Sequence, residues 1–210
     1  MKDLAQRITL LLEEKYPETA CGLEWQGDPY KLLVMAILSA QCTDARVNIV
    51  AKTLFKRFPD PSSMAAASLE DIEKEIHSVG LYRSKSKALK ACCERLTEAY
   101  GGILPSEMDD LLTLRGVGRK VANLLRGDVF GLGGIVADTH CIRISDRLGL
   151  SKGDNPLKTE RDLEKLIPLE KQSDFCHRMV LFGREICTAR APKCNECILS
   201  NLCDYRTKNG

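Results

Sequence analysis

Four closely spaced cysteines constrain the fold of this chain more than any other feature. They follow the spacing Cys187-x6-Cys194-x2-Cys197-x5-Cys203, and proline, lysine, asparagine and glutamate residues make the loop between them polar. A polar loop offers small apolar side chains little to pack against, so four unrelated packing cysteines are a poor explanation. The spacing predicts a loop that closes around a tetrahedral zinc ion or a cubane iron–sulfur cluster.

The spacing also bears on which of these two groups is bound. Zinc sites usually contain two close pairs of ligands joined by a longer arm, whereas this run contains only one close pair. The spacing therefore favours the iron–sulfur cluster and leaves zinc as the alternative. The remaining cysteines stand singly or on apolar faces, and we expect them to be packing residues: Cys21, Cys42, Cys92, Cys93, Cys141 and Cys176.

A turn bracketed by glycines is the second informative feature. Apolar residues at helical intervals flank the segment Leu114-Arg115-Gly116-Val117-Gly118-Arg119-Lys120, which predicts a helix, a hairpin and a second helix. Two glycines allow a tight turn close to a ligand, and the free N–H groups at the start of the second helix attract anions such as phosphate. Lys120 lies in the first turn of that helix, where positive potential disfavours its protonated form and favours a nucleophilic amine.

Helical periodicity continues through the rest of the chain, and alternating β-branched runs are almost absent. The sequence therefore predicts an all-α protein. We expect Ser68, Ser106, Asp138 and Thr159 to cap the helices that follow them. The glycine-rich segment 131–134 is a flexible crossing and a candidate domain boundary.

Charge and targeting signals restrict the class of protein. The formal net charge of +2 does not by itself indicate nucleic-acid binding, but basic residues gather in three runs near the candidate functional segments. These runs, within residues 83–95, 115–126 and 178–193, favour a polyanionic partner. The amino-terminal residues lack the pattern of a signal peptide, and no apolar segment is long enough to span a membrane. We therefore expect a cytoplasmic protein whose clustered cysteines bind metal.

Together these features resemble the endonuclease III family of DNA glycosylases, nearly from end to end. Segment 114–120 resembles the family's helix-hairpin-helix, Val136-Ala137-Asp138-Thr139-His140 its aspartate motif, and the cysteine spacing its [4Fe–4S] loop. Ser39-Ala40-Gln41 and Gly80-Leu81-Tyr82 lie where the family has loops that wedge into DNA. The cysteine spacing combined with the lysine and the aspartate is specific to the family, whereas many DNA-binding proteins share the hairpin.

The resemblance implies two helical domains that flank a DNA-binding cleft. A six-helix domain would span about 22–132, with the helix-hairpin-helix at about 107–130, and an iron–sulfur cluster domain would combine 1–21 with 133–210. The implied activity is base excision repair: removal of oxidised or ring-saturated pyrimidines, then strand cleavage at the abasic site by β-elimination. The implied partner is double-stranded DNA with a damaged pyrimidine or an abasic site, bound by a monomer that is associated with the nucleoid if the source is bacterial.

The resemblance also assigns roles to residues. Lys120 would form a Schiff base with the sugar, and Asp138 would accept its proton and stabilise positive charge on the sugar. Because the base must leave the stack first, Leu81 would wedge into the DNA and Gln41 would fill the gap. Further DNA contacts are expected from Gly116, Gly118, Arg119, His140, Arg190 and Lys193. The cluster ligands would be Cys187, Cys194, Cys197 and Cys203, and a monovalent cation would bind at the hairpin.

Simpler roles compete with several of these assignments. Asp138 is explained by helix capping alone, Leu81 by core packing, Gln41 by a hydrogen bond at a helix terminus, and Lys120 by contact with water or phosphate. Departures from the family's pattern leave substrate preference open. They are Arg115 in place of a proline, Val121 in place of a small polar residue, and the cysteines at 42 and 141.

Three other functions are considered. A glycosylase that excises adenine from mismatches uses a glutamate on the helix before the Gln41 loop and lacks the lysine, whereas residues 31–40 contain no acidic residue here and Lys120 is present. A thymine-mismatch glycosylase is disfavoured by the same lysine. A non-catalytic iron–sulfur protein that binds DNA or carries electrons would not need Lys120 together with Asp138.

Overall fold

The computed structural model describes residues 1–209, with side chains to residue 206, and its regular structure is helical. Over this part of the chain there are twelve α-helices and no strand, which confirms the predicted all-α class. The helices are α1 (Lys2–Lys15), α2 (Pro29–Leu38), α3 (Asp44–Arg57), α4 (Pro61–Ala66), α5 (Leu69–Ile76), α6 (Tyr82–Tyr100), α7 (Met108–Leu112), α8 (Arg119–Phe130), α9 (Thr139–Arg147), α10 (Pro156–Glu164), α11 (Gln172–Glu185) and α12 (Asp204–Asn209). Single turns of 3-10 helix occur at Leu169–Lys171, Cys194–Glu196 and Ser200–Leu202. No helix in the described residues is both long and apolar enough to cross a bilayer.

The chain forms two compact units. One consists of residues 21–130 and is called the hairpin unit below; the other combines 1–20 with 131–210 and is called the cysteine-loop unit. The boundaries inferred from the sequence, after residues 21 and 132, differ from these by one or two residues.

Helix α2 is the centre of the hairpin unit. Eight of its ten residues are buried, so it is apolar on every side. Its start is defined by Asp28, whose carboxylate accepts hydrogen bonds from the backbone N–H groups of Tyr30 and Lys31 at 3.0 and 3.4 Å. Pro29 occupies the first helical position, where its missing N–H costs nothing. Asp28 and Pro29 therefore fix the residue at which α2 begins.

The hairpin unit contains seven α-helices, one more than the six-helix domain that the resemblance implies. Helix α4 begins directly after α3 because Pro61 is its first residue and Asp60 forms a reciprocal capping box with Ser63. Met64 then buries its side chain completely in the core. Asp60 and Pro61 therefore define the start of α4.

Two of the predicted helix caps are wrong. The residue that precedes α7 is Glu107, and the hydroxyl of Ser106 donates to the Glu107 carboxylate without capping the helix. Thr159 lies buried inside α10, which begins four residues earlier than predicted. Asn155 caps that helix by accepting the Lys158 backbone N–H at 3.1 Å, and the proline that follows it fixes the first helical position.

Helices α1 and α11 pack together in the core of the cysteine-loop unit. Their largest fully buried side chains are Ile8, Leu12, Phe175 and Phe182. Arg178 is only 6% exposed, and its Nε donates to the Tyr16 carbonyl at 3.0 Å. A buried guanidinium on α11 therefore satisfies a carbonyl that the end of α1 leaves without a helical partner.

Replacing Asp28 by alanine is expected to lower the free energy of unfolding by about 1 kcal/mol, because two N–H groups at the start of α2 lose their acceptor. Urea denaturation followed by circular dichroism measures the change. Asp28→Asn is the matched control, since its amide oxygen still accepts and most of the stability should remain. Equal losses in both variants would attribute the effect to the negative charge and not to the cap.

Candidate functional site

The two glycines of the hairpin, Gly116 and Gly118, differ in backbone conformation and in their surroundings. Gly116 has φ +87°, and a Cβ there would lie 3.3 Å from the side chains of Ala88 on α6 and Ile37 on α2. A side chain at this position would be strained and crowded, so Gly116 lets the hairpin pack against α2 and α6. Nothing lies within 4 Å of a Cβ built at Gly118, and its φ is not in the left-handed region. Gly118 is therefore the glycine whose backbone faces open space.

Lys120 lies in the first turn of α8 with its side chain exposed. The first helical bond runs from the Ala122 N–H to the Gly118 carbonyl at 2.9 Å, so the N–H groups of residues 119–121 have no helical acceptor. In the described part of the chain the Lys120 ammonium makes no hydrogen bond or ion pair. The start of α8 thus combines backbone donors that lack a helical acceptor, the exposed Arg119 and the unpaired amine of Lys120.

Gln41 and Leu81 lie at the tips of two adjacent loops in the hairpin unit. Gln41 has φ +53° and Leu81 has φ +60°, a left-handed conformation that costs an L-residue about 1–2 kcal/mol. A Cβ built at Gly80 would lie 3.6 Å from the Gln41 carbonyl oxygen, so the two loops approach closely.

The exposure of these two tips decides between the competing roles. The Leu81 side chain is 58% exposed, so the core-packing explanation is wrong. Gln41 is also exposed, and within the described residues its side chain forms no hydrogen bond at a helix terminus. Two strained residues thus present one apolar and one amide side chain to solvent.

Asp138 caps α9 with one carboxylate oxygen and leaves the other available. Its Oδ1 accepts the Cys141 backbone N–H at 2.7 Å, while Oδ2 has no partner in the described part of the chain. Asp138 can therefore cap α9 through Oδ1 while Oδ2 remains available for a reaction. A hydrogen bond with the Cys176 thiol and complete burial hold the pKa of Cys141 well above its usual range, so the group behind the carboxylate is a neutral thiol.

Arg143 fixes the orientation and the tautomer of His140. Its Nη2 lies 3.1 Å from His140 Nδ1, and because a guanidinium can only donate, Nδ1 must be the acceptor. The proton of the neutral ring is therefore on Nε2. A Cβ at Gly183 would lie 2.4 Å from His140 Nδ1, so only glycine fits opposite this pair.

The four cysteines of the loop line one pocket, together with Arg147 and Lys193. Short 3-10 turns before Cys197 and Cys203 bend the backbone around it. Arg147 of α9 donates to Cys187 Sγ at 3.2 Å and to the Thr188 carbonyl at 2.8 Å. Arg147 therefore connects α9 to both a cysteine sulfur and the backbone of the loop.

The donor set of this pocket fits an iron–sulfur cluster. Its lining contains four cysteine sulfurs and no histidine or carboxylate side chain. A [4Fe–4S] cluster is held by four cysteine thiolates, one on each iron. Cys187, Cys194, Cys197 and Cys203 therefore supply the ligands that such a cluster requires.

The predicted basic contacts of the loop, Arg190 and Lys193, are both exposed. The Lys193 N–H donates to the Ile186 carbonyl at 2.9 Å, which closes the backbone while the side chain stands in solvent. Both side chains are thus available to phosphate groups.

The predicted residues are distributed over the two units. The hairpin unit holds Gln41, Leu81, Gly116, Gly118, Arg119 and Lys120, and the cysteine-loop unit holds Asp138, His140, Arg190, Lys193 and the four cysteines. Sequence reasoning missed Arg143 and Arg147, which connect α9 to the cysteine loop: Arg143 Nη2 donates to the Cys187 carbonyl at 2.8 Å. Their spacing of four residues, on one helix face after Asp138, was the available signal.

Comparison with known proteins places this geometry in a family. The family model of HhH-GPD superfamily base excision DNA repair proteins matches residues 34–169. The model of the iron–sulfur binding domain of endonuclease III matches residues 187–203, which contain all four cysteines of the loop.

Relatives match over almost the whole chain. Endonuclease III of Synechocystis sp. is 45% identical over 203 residues, which cover 96% of this chain and 92% of the relative. Endonuclease III of Escherichia coli is 35% identical and covers 97% of both chains. The solved structure of a trapped endonuclease III–DNA covalent intermediate has a TM-score of 0.93 and 40% identity, covering 100% of this chain and 98% of its own. The chain therefore belongs to the endonuclease III family, within the HhH-GPD superfamily of base excision DNA repair proteins.

Proposed function

We propose that this protein is a bifunctional DNA glycosylase and AP lyase that removes oxidised or ring-saturated pyrimidines from double-stranded DNA. The observation that carries the proposal is the exposed, unpaired ammonium of Lys120 in the first turn of α8, where the backbone N–H groups have no helical acceptor. Similarity to an endonuclease III that was trapped covalently on DNA supports it, because a covalent intermediate requires a nucleophile.

Lys120 carries the chemistry in two stages. Its neutral amine attacks C1′ of the damaged nucleotide, and the glycosidic bond breaks as the base departs with the bonding electrons and takes up a proton. Ring opening of the sugar gives an iminium ion between Lys120 and C1′. Loss of a proton from C2′ then expels the 3′ phosphate, which cuts the strand, and water releases the lysine.

Asp138 supports this sequence with the carboxylate oxygen that does not cap α9. Its Oδ2 accepts the proton that Lys120 must lose and stabilises the positive charge that develops on the sugar. The cap holds the carboxylate in one orientation, so little reorganisation is needed during the reaction.

DNA binding is divided between phosphate contacts and extrusion of the base. The Gly118 turn and Arg119 bind backbone phosphate at the start of α8, and Gly116 supports that turn by its packing. His140, oriented by Arg143, is a further proposed DNA contact, and Arg190 with Lys193 adds charge on the cysteine loop. Leu81 wedges into the stack and Gln41 fills the space that the extruded base leaves. We keep the monovalent cation at the hairpin as a prediction.

The [4Fe–4S] cluster of this family has a structural task in the proposal. Bound by Cys187, Cys194, Cys197 and Cys203, it supplies the bonds that keep the loop folded. Arg190 and Lys193 are thereby held in position for phosphate. Since the substrate is chromosomal DNA, we propose that the protein acts as a monomer in the cytoplasm, at the nucleoid of a bacterial host.

Lys120→Ala should abolish the covalent complex that borohydride traps on a duplex with thymine glycol or an abasic site, because the variant lacks the amine that forms the Schiff base in our proposal. Gel electrophoresis of the denatured complex measures the yield. Lys152→Ala, which removes an exposed lysine of the other unit, should trap as well as the unmodified protein. Full trapping by Lys120→Ala would remove this residue from the nucleophile role.

Asp138→Asn should slow excision about 100-fold or more, because the proton acceptor and the negative charge are lost. The free energy of unfolding should hardly change, since asparagine caps helices as well as aspartate. Single-turnover release of the base and urea denaturation provide the two measurements. Undiminished excision would leave Asp138 with its capping role alone.

Cys194→Ala should remove the broad visible absorbance of the brown protein together with its iron. It should also weaken DNA binding at least about tenfold, as Arg190 and Lys193 lose their fixed positions. Cys21→Ala, which changes a cysteine outside the loop, should retain both properties. A colourless unmodified protein that contains zinc would contradict the assignment of the cluster.

A further inference from the structure

Lys85 is a buried lysine close to the loops that carry Gln41 and Leu81. Lys85 is only 4% exposed, and burial lowers the pKa of its ammonium. Placing an ammonium group in a protein interior is unfavourable unless its hydrogen bonds are satisfied. An apolar residue would fill the same space without that cost, so the position of Lys85 requires a reason.

The ammonium of Lys85 binds the carboxyl-terminal end of α2. Its Nζ donates to the Leu38 carbonyl at 2.9 Å. Leu38 is the last residue of α2, whose final turn contains no basic side chain. Carbonyl groups at a helix end lack helical partners and carry partial negative charge, so a cation is favoured there. Lys85 supplies that cation from a different helix.

This hydrogen bond connects the bases of the two tips. Lys85 is the fourth residue of α6, and its own N–H and that of Ser84 both donate to the Leu81 carbonyl at 3.0 Å. On the other side, Leu38 precedes Gln41 by three residues, and the Cys42 N–H donates to the Ser39 carbonyl at 3.0 Å to close the intervening turn. One buried hydrogen bond thus joins the turn under Leu81 to the turn under Gln41.

We infer that Lys85 is a positioning residue for base extrusion, which it serves by holding the Leu81 and Gln41 tips at a fixed separation. The inference rests on the roles proposed above for these tips. Unstacking a base costs a few kcal/mol, and loops that must become ordered on insertion add to that cost. Tips that are already fixed in a left-handed conformation avoid the additional ordering. Lys85 acts through the two loops and does not touch the reacting atoms.

Lys85→Met keeps the apolar stem and removes the ammonium. At saturating enzyme, single-turnover excision of thymine glycol paired in a duplex should slow about tenfold or more, since each factor of ten corresponds to 1.36 kcal/mol of barrier. Nicking of a preformed abasic site in the same duplex should change less than about threefold, because no base has to be extruded. Excision from a single strand should also be spared.

A second lysine of α6 provides the matched control. The Lys90 ammonium likewise binds backbone carbonyls, those of Ala65 and Ala67. These two residues lie at the end of α4 and belong to neither tip loop. Lys90→Met should therefore leave the ratio of duplex to single-strand excision unchanged. A similar fall in that ratio for Lys90→Met would attribute the effect to general loosening of the hairpin unit.

Coupling to the wedge distinguishes positioning from a purely structural role. Once Leu81→Ala has removed the wedge, adding Lys85→Met should reduce duplex excision by much less than the same change does alone. Lys85→Gln, which retains a neutral donor, serves as a second variant. Additive effects with Leu81→Ala, or loss of abasic-site nicking together with excision in both Lys85 variants, would overturn the inference. An unmodified protein without trapping activity would instead overturn the proposed function.

Discussion

The hairpin packs onto α2 and α6 only because position 116 has no side chain. The contact of Gly116 with Ile37 and Ala88 ties the hairpin turn to α2 and α6, the helices next to the loops that carry Gln41 and Leu81. The Lys85–Leu38 hydrogen bond joins those helices again at their ends. The hairpin unit thus supports the proposed nucleophile, Lys120, and both tips on one pair of packed helices, and in our proposal their relative positions are set before DNA binds.

In the cysteine-loop unit the candidate site residues are also held on a helix, but by hydrogen bonds from charged side chains and not by apolar packing. Helix α9 begins with Asp138 as its cap, and Arg143 and Arg147 extend from it to the backbone of the cysteine loop. The cysteine loop and the carboxylate are consequently attached to one short helix. Two guanidinium groups can bridge several carbonyls of an irregular loop, which apolar side chains cannot do.

Local sequence patterns predicted the fold class, the hairpin and the cap at Asp138, because each depends on residues close together in the chain. Helix α4 was not predicted from periodicity because it is only six residues long, although Asp60 and Pro61 form a helix start. Arg143, Arg147 and Lys85 were missed as contributors to the site, since their partners lie about forty residues away in the chain. Periodicity likewise could not distinguish a buried Leu81 from an exposed one; the backbone conformation before α6 decides this.

The left-handed conformations at positions 41 and 81 have a consequence for protein engineering. Selection for thermal stability alone would favour glycine at such sites, because glycine adopts this conformation without strain. Glycine would also delete the amide and the apolar side chain on which extrusion of the base depends in our proposal. Stability and repair activity therefore favour different residues at positions 41 and 81. A variant with glycine at both positions would keep its fold but would excise lesions from duplex DNA poorly.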